Sequence, residues 1–110
     1  MQLNKKYYGE AVNHNDQIAL EWARIPHFYS SFYVYKYATG ITSAVSIANS
    51  ILTKEGYVDK YKQFLSAGSS ASPYDILRIT GVDLAKEEPF KIAMQEFEDT
   101  LAQLEALYEN

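Results

Sequence analysis

The sequence predicts an all-α chain of four to five helices, and three observations carry that reading. Phe90, Met94, Phe97, Leu101, Leu104 and Tyr108 fall at alternating four and three spacing, the repeat of a single helix face. Gly40, Ala44 and Ala48 recur every four residues and continue backwards into Tyr37, Tyr33 and Tyr29, a stripe that lets another helix approach closely. Ser72-Pro73 reads as a helix start, and Gly56, Gly68 and Gly81 punctuate the chain around it.

Tyr7-Tyr8-Gly9 and Asn13-His14-Asn15-Asp16 read as irregular chain with turn and cap signals. Asp16 is placed to cap a short helix over residues 17–23, which Pro26 interrupts. The stretch 28–52 comes next. Its first half, Phe32-Tyr33-Val34-Tyr35-Lys36-Tyr37, alternates ring and non-ring and taken alone suggests a strand. The small-residue stripe behind it decides for one continuous helix. Residues 58–67 form another helix between Gly56 and Gly68, with Tyr61, Phe64 and Leu65 inward. Ser69-Ser70-Ala71-Ser72 is a loop, and the helix from Ser72-Pro73 to Gly81 holds Ile76, Leu77 and Ile79. The last helix begins near Pro89. Its stripe runs for under three heptads, too short for a free coiled coil, and is expected to be buried.

With 110 residues the chain is expected to be one helical unit, 1–110, able to close a single modest core. Apolar residues at 47% and charged residues at 22% are ordinary for a globular protein. Ten tyrosines are not, since hydroxyl-bearing rings suit clefts and interfaces better than dry cores. A net charge of −4, with lysines and arginines scattered, gives no footprint for nucleic acid. The absence of cysteine excludes a disulfide framework, a thiolate metal site and a cysteine nucleophile, and fits a cytoplasmic protein. The opening residues have no apolar core after Lys5-Lys6, so no signal peptide is expected. Residues 29–52 are long enough for a membrane span, but Lys36, Asn49 and several hydroxyl residues favour a buried helix in water and no membrane partner.

The usual catalytic sets are missing from this sequence. It has no His-Glu-x-x-His, and its two histidines, His14 and His27, lie thirteen residues apart. It has no glycine-rich phosphate loop. Glu87-Glu88 and Glu96-Glu98-Asp99 lie beside or outside the apolar stripe of the last helix and read as a solvated face. One segment stands apart. Six aromatic rings crowd into the ten residues from Phe28 to Tyr37, with His27 fixed by Pro26 just ahead. A core helix with a satisfied histidine is the plain account, but four of the six rings carry hydroxyls, which a dry core seldom needs.

The run Trp22-Ala23-Arg24-Ile25-Pro26-His27-Phe28-Tyr29, followed by Phe32-Tyr33-Val34-Tyr35-Lys36-Tyr37-Ala38-Thr39-Gly40, resembles the hallmark of oligoendopeptidase F. That is the bacterial branch of the zinc peptidases that include thimet oligopeptidase. The resemblance takes in Tyr7-Tyr8-Gly9 upstream, the Lys-Gln-Phe-Leu-Ser-Ala-Gly-Ser-Ser of residues 62–70, Ser72-Pro73 to Gly81-Val82-Asp83, and the helix from Pro89 to Leu107. It covers nearly the whole chain.

The resemblance implies the C-terminal portion of a helical zinc-metallopeptidase catalytic domain that hydrolyses short peptides in a deep channel. In such enzymes two histidines of His-Glu-x-x-His and a later glutamate hold zinc, and the motif's own glutamate is the general base. Those residues are expected before Met1, so no metal ligand and no cofactor are expected in this chain, and alone it is expected to be inactive. A histidine and tyrosines beyond the zinc helix face the scissile bond in that family. Carried over, His27, Tyr29, Tyr33 and Tyr35 are the matching residues. The resemblance favours Tyr35 as oxyanion donor with His27 as its companion, and gives Tyr29 and Tyr33 to substrate binding. On a continuous helix Tyr35 stands about 12 Å along the axis from His27. Arg24 suits a structural ion pair better than a substrate contact. The expected partners are short peptides, the remainder of the catalytic domain and, for the chain by itself, a second copy. The alternative reading is a stand-alone helical peptide-binding or self-assembling module derived from the same fold.

Overall fold

The computed structural model describes residues 2–108, and among them helices alone are found, with no strand. Five are α-helices: α1 (Gln2–Tyr8), α2 (Tyr35–Thr53), α3 (Tyr57–Ser66), α4 (Pro73–Arg78) and α5 (Glu88–Tyr108). Gly9–Ala11, Asp16–Arg24 and Pro26–Tyr29 wind as 3-10 segments. Residues up to Lys36 and residues from Tyr37 form two compact units, described separately below.

In the first unit, α1 replaces the irregular start expected from the sequence. Gln2, Leu3, Lys5 and Lys6 are good helix formers, and Gly9, at φ 61, ends the helix after Tyr8. The short helix ahead of Pro26 is 3-10 rather than α, and Asn15 caps it instead of Asp16. The Asn15 side chain accepts from the Gln17 N–H at 3.0 Å. No described residue of this unit is buried, so no packed face exists to favour the longer α repeat.

The helix expected over 28–52 begins only at Tyr35. Pro26 opens a separate turn ending at Tyr29, and Ser30 is extended behind it. Phe32 takes φ 56, a left-handed conformation through which no α-helix passes. The alternation of rings that looks like a strand therefore marks the break between turn and helix.

In the second unit, α2 buries Thr42, Ser43, Ser46, Ile47 and Ser50. Gly40, Ala44 and Ala48, the expected contact stripe, are exposed. Close approach is made on the hydroxyl-bearing side instead. Ser46 Oγ donates to the Pro89 carbonyl at 3.2 Å, holding the start of α5 against α2. Ser43 Oγ donates within its own helix to Thr39, at 2.8 Å, so burying these groups strands no donor.

The core is Ile47, Tyr57 and Val82, with Ile51, Tyr61, Leu77 and Leu84 packed against it. Gly56, at φ 70, turns the chain into α3, and Tyr61 and Phe64 stack at 6.2 Å while Leu65 points outward. Ser72 caps α4 by accepting from the Asp75 N–H at 3.2 Å, with Pro73 in the first turn. Ile76 is buried, and Leu77 and Ile79 are half-buried. Thr80 is enclosed: its hydroxyl donates to Leu77 at 2.7 Å and accepts from the Val82 N–H at 3.2 Å. The α5 stripe departs most from expectation. Of that helix only Pro89 is buried, and Phe90, Met94, Phe97, Leu101, Leu104 and Tyr108 are exposed.

Tyr57 is 6% exposed, and its hydroxyl is buried with no hydrogen-bond partner. Leaving such a group unpaired costs about 1–3 kcal/mol. Tyr57→Phe removes the orphan and keeps the ring, so it is expected to leave stability unchanged or raise it in urea unfolding. A loss above about 1 kcal/mol would show that the hydroxyl has a partner.

Candidate functional site

The aromatic segment is shaped by two local devices. Pro26 fixes the first turn, in which the Phe28 N–H donates to the Ile25 carbonyl at 3.1 Å and the Ser30 N–H to His27 at 3.3 Å. Phe32 then reverses the backbone, and the Lys36 N–H donates to the Tyr33 carbonyl at 3.3 Å as α2 starts.

The rings of His27 and Tyr33 are brought together by this joint. They stack nearly parallel, 9° apart, with centroids 5.2 Å apart, a pairing worth about 0.5–1.5 kcal/mol. The Lys36 ammonium lies 3.6 Å from the centroid of the Tyr33 ring, a cation–π contact worth about 0.5–1 kcal/mol at an exposed site. Tyr29 points its hydroxyl back into the segment, donating to the Ala23 carbonyl at 2.5 Å. Tyr35 opens α2 and is 62% exposed. His27 and Tyr35 thus stand on a 3-10 turn and on an α-helix, so one helical rise does not set their separation. Arg24 pairs with Glu21. That hydrogen bond first, and the charge of Glu21 second, hold the guanidinium more firmly protonated than usual.

Phe32 is a site feature that spacing did not reveal. A bulky residue in the left-handed region costs roughly 1–2 kcal/mol, and this one also leaves its ring 91% exposed. The available signal was the Ser30-Ser31 pair ahead of it, combined with the alternation that contradicts a helix. Lys36 on the Tyr33 ring was missed as well, because a lysine within an apolar run looks like a solvated charge.

The described residues do not fit a zinc site. Among the described residues no three His, Asp or Glu side chains are grouped so as to hold a metal ion. His14 uses both ring nitrogens, on the Asn4 side-chain oxygen and on the Gly9 carbonyl. No helix of the described residues is long and apolar enough to cross a membrane.

Comparison with known proteins assigns this arrangement to a family. The model of Peptidase family M3 matches residues 1–96. Oligopeptidase PepF of Bacillus subtilis is 49% identical over 107 residues, covering 96% of this chain and 16% of that protein. A plasmid-borne oligoendopeptidase F of Lactococcus lactis subsp. cremoris is 42% identical over 111 residues, covering 98% of this chain and 18% of that protein. A Chlamydophila abortus chain of known crystal structure superposes with a TM-score of 0.81 at 38% identity, over 96% of this chain and 18% of that one. The chain spans about one sixth of the length of the relatives it matches, and the matched part contains both the turn–helix joint and the α2–α3–α4 core. With that match over nearly all of its residues, the chain belongs to peptidase family M3.

Proposed function

We propose that this chain forms the substrate-facing side of an M3 oligopeptidase site, and that zinc and the general base come from residues outside residues 1–110. The reading is supported above all by the joint at residues 26–35, which exposes His27 and Tyr35 within the segment shared with oligoendopeptidases. A tyrosine hydroxyl and an imidazole N–H are both hydrogen-bond donors. On this reading Tyr35 donates to the carbonyl oxygen of a short peptide as negative charge develops on it, and His27 donates beside it. Tyr33 holds the His27 ring in place by stacking, and Tyr29, tied to Ala23, shapes the floor that the peptide lies on.

Three outcomes are expected. The 110-residue chain alone binds no stoichiometric zinc and cleaves no peptide. Metal analysis showing one tight zinc per chain, or chelator-sensitive cleavage of a quenched oligopeptide, overturns that. In the complete peptidase that contains this segment, Tyr35→Phe lowers kcat much more than it raises KM, because losing an oxyanion donor costs about 2.7–4 kcal/mol. If Tyr35→Phe keeps near-wild-type kcat while Tyr29→Phe or Tyr33→Phe does not, the donor is another ring.

The third outcome concerns the chain by itself, which is expected to self-associate. The α5 stripe and the Gly40-Ala44-Ala48 face of α2 are both exposed. Each large apolar side chain left in water forgoes about 1.5–3 kcal/mol. A second copy offers the same faces as cover, by simple docking or by exchange of a helix. Sedimentation at tens of micromolar is expected to give a mass above 12.5 kDa. A clean monomer that unfolds cooperatively contradicts this.

A further inference from the structure

The second unit holds a hollow of about 150 Å³, none of whose lining residues belongs to the aromatic segment. It lies among the end of α2, the start of α3, the turn after α4 and the start of α5, with several times the room that one water needs. Lys54, Lys60 and Lys86 line it, brought there by three separate stretches of chain. None of the three makes an ion pair among the described residues, whereas Arg24, Arg78 and Lys91 do. The Lys54 ammonium lies 5.9 Å from the centroid of the Tyr57 ring. Asp83, also on the wall, is already engaged. It accepts from the Tyr74 hydroxyl at 2.5 Å and from the Ala85 N–H at 3.0 Å, and it sits 3.6 Å from the Arg78 Nε. That leaves Glu88 against three lysines. Two hydroxyls complete the lining. Tyr57 is 6% exposed, and its Oη is buried without a hydrogen-bond partner. Ser50 is 5% exposed, and its Oγ makes no hydrogen bond among the described residues, whereas Ser46 and Thr80 donate to the Pro89 and Leu77 carbonyls.

We propose that this hollow binds a small tetrahedral oxyanion, phosphate or the phosphate group of a small molecule, through Lys54, Lys60, Lys86 and the hydroxyls of Ser50 and Tyr57. Lysines on a flat surface are merely solvated. Here three of them share one concavity with two unsatisfied hydroxyls, and donors that lack an acceptor are the chemical complement of an anion. Burying an unpaired hydroxyl is unfavourable, and so is gathering like charges. One oxyanion removes both penalties. A phosphate carries about −1.5 to −2 near pH 7, which matches three lysines against one glutamate better than a singly charged carboxylate does. Tyr57 and Lys60 belong to the first turn of α3, and Glu88 and Pro89 to that of α5. The partial positive charge of these two helix starts adds to the lysines, and the last turn of α2, where Ser50 lies, offsets one of them. None of these residues takes part in the proposed peptide site, so the two stand or fall separately.

The test uses the complete peptidase containing this segment, kept in chelator so that phosphate held on a metal is not counted. Inorganic phosphate, phenyl phosphate and acetate are titrated by calorimetry at constant ionic strength. Saturable binding of one phosphate per chain is expected, with acetate much weaker. Tyr57→Phe and Lys60→Gln are each expected to weaken phosphate binding about tenfold, the scale of one hydrogen bond to a charged group. Glu88→Gln is expected to tighten it, and Tyr35→Phe to leave it unchanged. Tyr57→Phe keeps the buried ring and Lys60 is exposed, so both variants are expected to unfold like the wild type when phosphate is absent. Phenyl phosphate bound as tightly as the free ion supports the site and makes a phosphorylated small molecule its ligand. Exclusion of phenyl phosphate while inorganic phosphate binds supports the site for the free ion. No saturable binding, equal binding of phosphate and acetate, or wild-type affinity in Tyr57→Phe overturns the proposal. A loss in Tyr35→Phe equal to that in Tyr57→Phe overturns it too, because the phosphate then sits in the peptide site.

Discussion

Everything else in the second unit hangs on the contact of Ile47, Tyr57 and Val82, because those three are the only hydrophobic side chains gathered into a buried cluster among the described residues. Helices α2 and α3 and the turn after α4 meet there. The hydroxyl face of α2 makes that approach feasible, with Ser46 reaching the Pro89 carbonyl. A core this small leaves much apolar surface over. Two separately compact units of these lengths expose about 7,300 Å² together, whereas this chain exposes 9149 Å². The difference reflects faces without cover, and in α5 those faces keep the full periodicity of a buried helix.

The aromatic segment depends on a different constraint, the break in helical backbone between Tyr29 and Tyr35. A continuous helix places residues 27 and 33 nearly two turns apart along its axis, about 9 Å by the helical rise. The turn instead folds Tyr33 onto His27 at 5.2 Å. Pro26 and Phe32 are the two residues that enforce this, one by ring closure and the other by its left-handed conformation. Any role for His27 in chemistry thus begins with backbone geometry and is refined by the Tyr33 ring.

Helical class, the caps at Ser72-Pro73 and the glycine punctuation were legible in the sequence, since each is decided by neighbours within a turn. Two things were not. The break at Phe32 needs a single dihedral that composition does not announce, and the small-residue stripe hid it by extending helix spacing backwards through Tyr37, Tyr33 and Tyr29. The buried side of α2 was misjudged for a related reason. Two small-residue faces run along that helix, and glycine with alanine appeared the better contact than Ser43, Ser46 and Ser50. The serines win because Ser43 has a carbonyl within its own helix and Ser46 one at the start of α5. The resemblance carried by Trp22 to Gly40 located the candidate residues, but spacing could not say which rings touch.

The exposed rings of this chain are of two chemical kinds, and the difference bears on what covers them. Along α5 the open face is Phe90, Met94, Phe97, Leu101 and Leu104, without a polar atom until Tyr108. Water gains nothing from such a face, and dry protein is its natural cover. Around the turn–helix joint the open rings include Tyr29, Tyr35 and Tyr37, each of which carries a hydroxyl, and that of Tyr29 donates to the Ala23 carbonyl. A surface that binds a peptide reversibly, as proposed above, is wet between visits and dry during them, and rings of that second kind suit both states. Phe32 is the exception within the joint, an apolar ring among hydroxylated ones. Its 91% exposed ring is chemically of the α5 kind, and apolar surface rather than a hydrogen-bonding partner is its natural cover.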